Sequence, residues 1–297
     1  MEAVSVNFSA GSLVALNACL AFIMLGVALD MDISHFTQLR NNPRALLTGL
    51  FSQIVLLPFL TFLLVQVLPV SKGMALGMLL VAACPGGNVS NFFTMLARGN
   101  VALSVTLTAF SSMLAFLITP LNFFLWVSLS PALSAEVKTL EVNFWALTMN
   151  MVMVLLLPLI AGMWLARQYP NLTARIGRPI RTVSILMLAS FIILALVNNL
   201  PAFSAYFGTV FWIVLLHNGL ALAGAYVFSK LTGNSEAVSR TVAIETGIQN
   251  SGLGLTLIFS FFGGNTAMAI VAAWWGVWHL VSGVTFATWM RRKPVIA

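Results

Sequence analysis

One carboxylate of this sequence is predicted to lie inside the membrane, close to several neutral oxygen-bearing side chains. Only Glu245, in the segment ETGIQNSG, falls within a long apolar stretch. A charge at that depth costs at least about 2.5–3.5 kcal/mol, so it marks a functional group by default. No Lys or Arg shares its predicted depth, and its partner is therefore a proton, a bound cation or a set of hydrogen bonds. The other acidic residues fall in predicted loops or at helix ends: Glu2, Asp30, Asp32, Glu136, Glu141 and Glu236.

The polar residues predicted to lie near Glu245 favour a small alkali cation as its partner. Ser104 and Thr108 are four residues apart, so they share one face of a helix. Breaks in the helices should free backbone carbonyls near Thr246 and Ile248. Hard oxygen ligands with one carboxylate suit an alkali cation, whereas a transition metal would need His or Cys. Further neutral oxygens come from Asn88, Ser90, Asn91, Gln249 and Asn250. The alternative is a protonated Glu245 with a structural role.

Two polar, glycine-bearing segments interrupt apolar stretches and would position these groups. They read ACPGGNVSNFF over residues 83–93 and TGIQNSG over residues 246–252. Either one alone could be a simple kink, because Pro and Gly are common in membrane helices. Two breaks in matching places favour unwound backbone that is buried in protein or lines a wet cavity. The half-helices that follow present free N–H groups, which suit an anionic substrate.

The composition places the chain in the membrane. Of its 297 residues, 60% are hydrophobic and 7% are charged, with a mean hydropathy of +1.00. Soluble domains carry about 25% charged residues, so we predict an all-α integral membrane protein. We expect nine transmembrane helices. They cover about 10–30, 45–69, 73–98 (interrupted), 100–129, 142–166, 180–200, 207–229, 238–262 (interrupted) and 266–290.

The basic residues predict the orientation of these passes. Alternation puts Lys72 and Lys138 on one side and the other twelve of the fourteen basic residues on the opposite side. The basic side should be cytoplasmic, which places the N-terminus outside and the C-terminus inside the cell inner (plasma) membrane. The basic residues of the cytoplasmic loops explain the high isoelectric point of the chain. We therefore expect the lipid bilayer as a partner, and no nucleic acid. The twelve are Arg40, Arg44, Arg98, Arg167, Arg175, Arg178, Arg181, Lys230, Arg240, Arg291, Arg292 and Lys293.

The two breaks also predict an internal repeat. Each broken pass ends at Gly-Asn, at residues 99–100 and 264–265, and a long helix follows. Passes one to four therefore match passes six to nine. The copies lie five passes apart, so they cross the membrane in opposite directions, as in secondary transporters. We place the first repeat at 1–129, a periplasmic linker at 130–141 and the second repeat at 142–297.

In these motifs the chain resembles the bile acid:sodium symporter family over roughly residues 10–290. The residues that carry the resemblance are Gln53, Cys84-Pro85-Gly86-Gly87, Ser90-Asn91, Ser104, Thr108 and Glu245 to Asn250. The resemblance implies an inverted-repeat fold with a core domain and a panel domain, in which the two broken helices cross in the core. Family members in bacteria commonly have ten passes. Here the first, a panel helix, is missing.

The same resemblance implies two sodium sites behind the crossing. One would use Ser90, Asn91, Ser104, Thr108 and Glu245. The other would use Gln53, Glu245 and Gln249 with the backbone oxygens of Thr246 and Ile248. The substrate would bind on the other side of the crossing, near Gly87, Asn88 and Asn250. His279, in the last pass, could hydrogen-bond a substrate carboxylate or could be a neutral His satisfied by a neighbouring helix.

The leading functional hypothesis is a sodium-coupled symporter, not an enzyme, that imports an organic anion by alternating access. The resemblance implies a bile acid or a smaller carboxylate such as pantoate or ketopantoate, and the oligomeric state is open. One alternative is a proton-coupled or passive carrier of the same fold. Another is an arsenite-type permease with Cys84 as thiolate ligand. A membrane-embedded enzyme would need a catalytic dyad, and the sequence offers one isolated Glu at depth.

Overall fold

A computed structural model describes residues 10–29, 42–198 and 200–294, and these ranges are mainly helical with no β-sheet. The predictions for Glu2, Asp30, Asp32 and Arg40 lie outside the described residues.

The first half of the chain forms six helices. A long first helix is followed by α2, by two short helices that flank the first break, and by the long α5. The bounds are α1 Ala10–Ala28, α2 Pro43–Val67, α3 Lys72–Ala83, α4 Val89–Leu96, α5 Val101–Ser128 and α6 Pro131–Thr139.

The second half repeats this order of long and broken helices. Two short helices again flank a break, and a long helix again follows them. The bounds are α7 Phe144–Gln168, α8 Pro170–Asn198, α9 Leu200–Leu231, α10 Glu236–Gly247, α11 Ser251–Phe261 and α12 Thr266–Arg291.

Several of these helices are membrane-spanning by length and composition. Among the described residues, five spans are long and apolar enough, and three shorter apolar stretches accompany them. The chain is therefore a multi-pass helical membrane protein, as predicted, and both breaks occur where they were expected. The count of nine passes stays a prediction. Residues 130–141 were expected to form a linker, and they contain the helix α6. Pro131 begins this helix, and its side chains Leu133 and Val137 are buried.

The Gly-Asn pairs at the ends of the two broken passes have a defined structural role. Asn100 accepts a hydrogen bond from the Leu103 N–H at 3.0 Å and so caps α5. Asn265 accepts one from the Met268 N–H at 3.2 Å and caps α12. An Asn side chain at this position satisfies a free N–H of the first helical turn. The repeated motif thus marks the start of the long helix that follows each broken pass.

Two helices contain a widened π turn that ends two positions before a proline. In α2 the turn covers Ser52–Leu56 and precedes Pro58, and in α7 it covers Val152–Leu156 and precedes Pro158. A proline has no N–H, and its ring crowds the carbonyl four residues earlier. The chain relieves this crowding by widening locally, and such turns occur frequently at functional sites.

The broken helices lie in the interior of the protein. Residues 74–83 of α3, 238–247 of α10 and 251–259 of α11 are buried without interruption. A helix that is buried on all sides needs neighbours on all sides. Among these neighbours, α12 packs against α3 and α11, and α9 packs against α10. The two breaks are therefore held at the centre of the bundle.

Candidate functional site

The two breaks meet and satisfy each other's backbone groups. The Gly87 N–H donates to the Ile248 carbonyl at 2.7 Å, and the Asn250 N–H donates to the Pro85 carbonyl at 2.9 Å. These bonds form an antiparallel bridge between Gly86 and Gln249. Unwound backbone in a membrane protein has to find such partners, because lipid offers none. The bridge therefore fixes the two half-helix pairs against one another.

Glycine is needed at residues 86 and 87 because other groups approach the backbone closely. A Cβ atom at Gly86 would lie 3.0 Å from Gln53 Nε2 and 3.1 Å from Glu245 Oε2. One at Gly87 would lie 3.1 Å from the Gln249 carbonyl oxygen. The glycines thus give access to the carboxylate as well as opening the helix.

Glu245 is fully buried and accepts hydrogen bonds from three helices. Its Oε1 accepts from Ser90 Oγ at 2.5 Å and from Ser104 Oγ. Its Oε2 accepts from Thr108 Oγ1 at 2.9 Å and from Gln53 Nε2 at 3.2 Å. Within the described ranges, no Lys or Arg forms an ion pair with it. The partners are therefore neutral oxygen and amide groups.

The helices α4 and α5 place the predicted first set of ligands around this carboxylate. Ser104 and Thr108 share a face of α5, as their spacing predicts, and both contact Glu245. Asn91 joins the cluster through its Oδ1, which lies 2.8 Å from Ser104 Oγ. Ser90 Oγ lies 3.4 Å from Thr108 Oγ1. All five residues of this predicted set lie within one hydrogen-bonded cluster.

The predicted second set lies at the end of α10. Gln53 Nε2 donates to the Glu245 backbone carbonyl at 3.0 Å, and Gln249 Nε2 donates to the Thr246 carbonyl at 2.9 Å. The Oε1 atoms of Gln53 and Gln249 are buried and have no hydrogen-bond partner among the described residues. The Ile248 carbonyl accepts from Gly87. Buried carbonyl oxygens without a donor are sites that a cation can satisfy.

The predicted substrate residues are only partly brought together. Asn88 precedes α4 and is exposed, and Asn250 precedes α11, where its Oδ1 caps the Leu253 N–H at 3.0 Å. The bridge between the breaks sets the two half-helix N-termini, with Gly87, beside each other. His279 lies on α12 and is 7% exposed. No described hydrogen bond joins it to Asn88 or Asn250, and its Nδ1 has no partner in the described part of the chain.

Four residues near the site were missed by the sequence analysis as site residues. Ser52 Oγ accepts from Thr246 Oγ1 at 2.8 Å, and Thr94 Oγ1 lies 3.2 Å from Ser104 Oγ. Ser111 Oγ accepts from the Gly86 N–H at 3.3 Å. Its place three residues after Thr108, on the same helix face, is the signal that could have found it. The fourth, Asn218 on α9, donates to the Gly247 carbonyl at 2.7 Å.

A second polar cluster lies at the other end of α10. Arg240 is fully buried, and donates to Glu236 at 2.9 Å and to the carbonyls of Ala97, Lys293 and Pro294 at 2.9–3.2 Å. The sequence analysis had placed it with the basic loop residues. Its side chain instead joins the end of α4 to the residues after α12.

Glu236 begins α10, just before the predicted pass 238–262, and is held in its ionised form. Partial burial on its own would raise the pKa of its carboxyl, but hydrogen bonds from Arg240 and Tyr226 and the charge of Arg240 hold that pKa below its ordinary value. Lys230 adds a further cation at 3.4 Å. The cluster therefore stabilises this end of α10 when Glu236 is deprotonated.

Comparison with known proteins gives a consistent set of similarities. Residues 17–205 match the model of the sodium bile acid symporter family. The chain is 30% identical over 278 residues to an uncharacterized sodium-dependent transporter, YocS, of Bacillus subtilis, with 92% of this chain and 82% of the relative covered. It is 33% identical to a probable chloroplastic sodium/metabolite cotransporter, BASS1, of Arabidopsis thaliana, of which it covers 66%. It is 28% identical to the rat sodium/bile acid cotransporter 5, of which it covers 58%.

Proposed function

The chain belongs to the sodium bile acid symporter family, and we propose that it is a sodium-coupled symporter of an organic anion. Family membership makes it a transporter rather than an enzyme. The observation that carries the proposal is the environment of Glu245. A fully buried carboxylate is surrounded by neutral oxygen groups at the meeting point of two helix breaks.

The donor set fits sodium better than a transition metal. Sodium is a hard cation and takes carboxylate, hydroxyl, amide and backbone oxygens, whereas softer metals take thiolate and imidazole. No group of three or more His, Cys, Asp and Glu that could hold a metal ion occurs in the described ranges. We assign one sodium ion to the cluster of Ser90, Asn91, Ser104, Thr108 and Glu245. We assign a second to Gln53, Glu245 and Gln249 with the carbonyls of Thr246 and Ile248.

Sodium binding at Glu245 would change the roles of its hydroxyl neighbours. Each of Ser90, Ser104 and Thr108 now donates a hydrogen bond to the carboxylate. A hydroxyl also has two acceptor lone pairs, and its hydrogen rotates freely to suit its partner. The same three oxygens can therefore turn their lone pairs to a cation with little movement of the helices. The bound sodium ion would neutralise the negative charge of Glu245, which is costly in a buried site.

The substrate site lies, in this proposal, at the half-helix N-termini. Gly87 and Asn88 lead into α4, Asn250 leads into α11, and the bridge between the breaks places these two starts together. Free N–H groups and the positive end of a helix favour a carboxylate. We infer a bile acid or a smaller carboxylate, such as pantoate or ketopantoate, as substrate. His279 is a further candidate contact.

Coupling follows from the shared breaks. The residues that would hold sodium and those that would hold the anion belong to the same two unwound segments. Sodium that orders these segments raises the affinity for the anion, and the anion raises the affinity for sodium by the same factor. The core and panel domains of the inverted-repeat fold would then move past each other to give alternating access. The N-terminus would face outward from the plasma membrane, following the positive-inside rule.

A proton-coupled carrier is the second candidate, and one observation favours it. Within the described residues, the hydrogen bonds to the Glu245 carboxylate come from neutral groups, and a carboxyl proton could replace a cation there. The two candidates differ in one measurement. Uptake into proteoliposomes at fixed pH should need sodium for the symporter. It should persist when choline replaces sodium if the coupling ion is a proton.

The experiment that tests the proposal is a thermal-shift screen of the purified protein. Small carboxylates and bile acids are added one by one, in sodium and in potassium at equal ionic strength. A ligand that binds the native state raises the melting temperature by mass action. An anion that stabilises the protein only in sodium would support the proposal. Equal stabilisation in both salts, together with uptake that does not respond to sodium, would refute it.

A further inference from the structure

Pro58 leaves the Ile54 carbonyl of α2 without its usual helical partner. In an α-helix the carbonyl of Ile54 would accept from the N–H of residue 58. Residue 58 is a proline, which has no N–H. The π turn Ser52–Leu56 ends two positions before it. This carbonyl therefore needs a donor from elsewhere, because an unpaired polar group in the protein interior is costly.

The donor is the side chain of Asn122 on α5. Its Nδ2 lies 2.7 Å from the Ile54 carbonyl oxygen. Its Oδ1 accepts from Trp126 Nε1, one turn further along α5, at 3.1 Å. Asn122 is only 8% exposed, so both of its hydrogen bonds are shielded from lipid and water. The amide is thus oriented at both ends, and its N–H₂ group faces α2.

The turn that Asn122 supports carries two contacts to α10. Ser52 and Gln53 follow each other in the chain, and they are 0% and 3% exposed. Ser52 Oγ accepts from Thr246 Oγ1 at 2.8 Å. Gln53 Nε2 donates to the backbone carbonyl and to the carboxylate Oε2 of Glu245. In a regular α-helix neighbouring residues point about 100° apart. The widened turn lets both side chains face α10.

Asn122 and Gln53 lie at the same small cavity. The two residues and Ile54 line one cavity of about 10 Å³, beside Pro85 of the first break. A cavity of that size holds about one water molecule. Removal of the Asn122 amide would leave the Ile54 carbonyl facing this cavity, and the turn would be free to shift toward it.

We propose that Asn122 is a positioning residue, which fixes Gln53 for cation binding by pairing the Ile54 carbonyl that Pro58 leaves free. The inference rests on the proposed sodium site, because Gln53 is assigned there as a ligand. Asn122 itself touches no proposed ligand atom, and acts through the backbone of α2. Residues that orient a metal ligand in this way typically alter affinity 10- to 100-fold when they are replaced.

The test is a double-mutant cycle between Asn122 and Pro58. Sodium affinity is measured without substrate, from the dependence of the melting temperature on sodium concentration. We expect Asn122→Ala to raise the half-saturating sodium concentration about tenfold. Pro58→Ala restores an N–H that can pair with Ile54, so Asn122→Ala should cause a much smaller further loss in that background. The KM for the anion, at saturating sodium, should stay unchanged in Asn122→Ala.

Thr119→Val is the matched control. Thr119 lies on α5 one turn before Asn122 and lines the same cavity, and its Oγ1 has no partner in the described residues. Loss of the Thr119 hydroxyl group should leave the sodium affinity unchanged. If Asn122→Ala does not fold, Asn122→Leu keeps a side chain of similar size and removes the donor, and takes its place in the cycle.

The outcomes separate this inference from the proposed function. If wild-type protein shows no sodium-dependent stabilisation, the proposed function fails and this inference fails with it. If wild-type protein responds to sodium but Asn122→Ala has no effect, only the positioning role is refuted. The same conclusion follows if Asn122→Ala causes an equal loss with Pro58 and with Ala at residue 58.

Discussion

The side-chain amide of Gln53 holds Glu245 at two points, since its Nε2 lies 3.0 Å from the backbone carbonyl oxygen and 3.2 Å from the carboxylate Oε2. One donor atom thus links α2 to both the main chain and the charge of α10. The position of the carboxylate depends on α2 as well as on the hydroxyls of α4 and α5.

Replacement of Glu245 by Gln should abolish the response to sodium. The substitution keeps the shape of the side chain but removes the negative charge that attracts a cation. We expect no sodium-dependent uptake and no rise of the melting temperature with sodium. Glu236→Gln, on the same helix, is the control and should keep the sodium-dependent rise. Sodium-dependent uptake at the wild-type rate in Glu245→Gln would contradict the assignment.

Loss of the Gln53 amide should weaken sodium binding while leaving the first cluster of hydroxyl groups intact. For Gln53→Ala we expect the half-saturating sodium concentration to rise about 10- to 100-fold, since one ligand and the anchor of Glu245 are lost. Isothermal titration with sodium measures this. Gln66→Ala, at an exposed glutamine of the same helix, should behave as wild type. Equal affinities in the two variants would argue against a ligand role for Gln53.

An added methyl group at Gly86 should disturb the carboxylate directly. Its carbon atom would lie 3.0 Å from Gln53 Nε2 and 3.1 Å from Glu245 Oε2. We expect Gly86→Ala to cost about 1–3 kcal/mol of stability through this overpacking, and to reduce sodium affinity as well. Chemical or thermal unfolding with and without sodium measures both. Gly219→Ala, where nothing lies within 4 Å, is the matched control and should lose neither.

Asn88 should affect the anion and not the cation. It is exposed beside the start of α4 and makes no side-chain capping bond there. We expect Asn88→Ala to raise the KM of the transported anion about tenfold, the equivalent of one hydrogen bond to a charged group. The half-saturating sodium concentration in the absence of substrate should not change. An unchanged KM together with altered sodium affinity would place Asn88 with the cation sites.

The stability of the protein should fall at acidic pH through Glu236. Hydrogen bonds and the charge of Arg240 keep the pKa of Glu236 below its ordinary value of 4.5. A lowered pKa in the folded state means that the ionised form stabilises the fold. This contribution is present above about pH 4.5 and is lost as the pH falls through the folded-state value.

Melting temperatures between pH 3.5 and 7 measure this contribution. Glu236→Gln should lower the melting temperature at pH 7, because buried Arg240 loses its charged partner, at a cost of roughly 1–3 kcal/mol. The difference from wild type should shrink toward pH 3.5. A difference that is constant with pH would show that the carboxylate charge plays no part.

Much of the candidate site could be predicted from local sequence. Pro85 with its two glycines marked one break, and the i, i+4 spacing of Ser104 and Thr108 placed both hydroxyls on one face. The charge of Glu245 in an apolar stretch marked the centre of the site. These features depend on helix periodicity and on the cost of burying a charge, which act within a short segment of chain.

The rest depends on contacts between distant segments. The pairing of Gly86 with Gln249, the donation of Asn122 to Ile54 and the burial of Arg240 each join residues more than fifty positions apart. No local pattern gives the register of such pairs. Arg240 in particular lies near a predicted loop, in a sequence context typical of exposed residues. Only its hydrogen bonds to backbone carbonyls reveal that it is buried inside the protein.

The pairing between the two breaks also has a consequence for biosynthesis. The Pro85 carbonyl receives its hydrogen bond from Asn250, which the ribosome adds 165 residues later (250 − 85). Until then the Pro85 carbonyl and the Gly87 N–H of the first unwound segment lack these partners, and lipid cannot supply any. The nascent chain must therefore keep this segment hydrated or helical while most of the protein is made. We expect the first break to take its final form only after the eighth pass has left the translocation machinery.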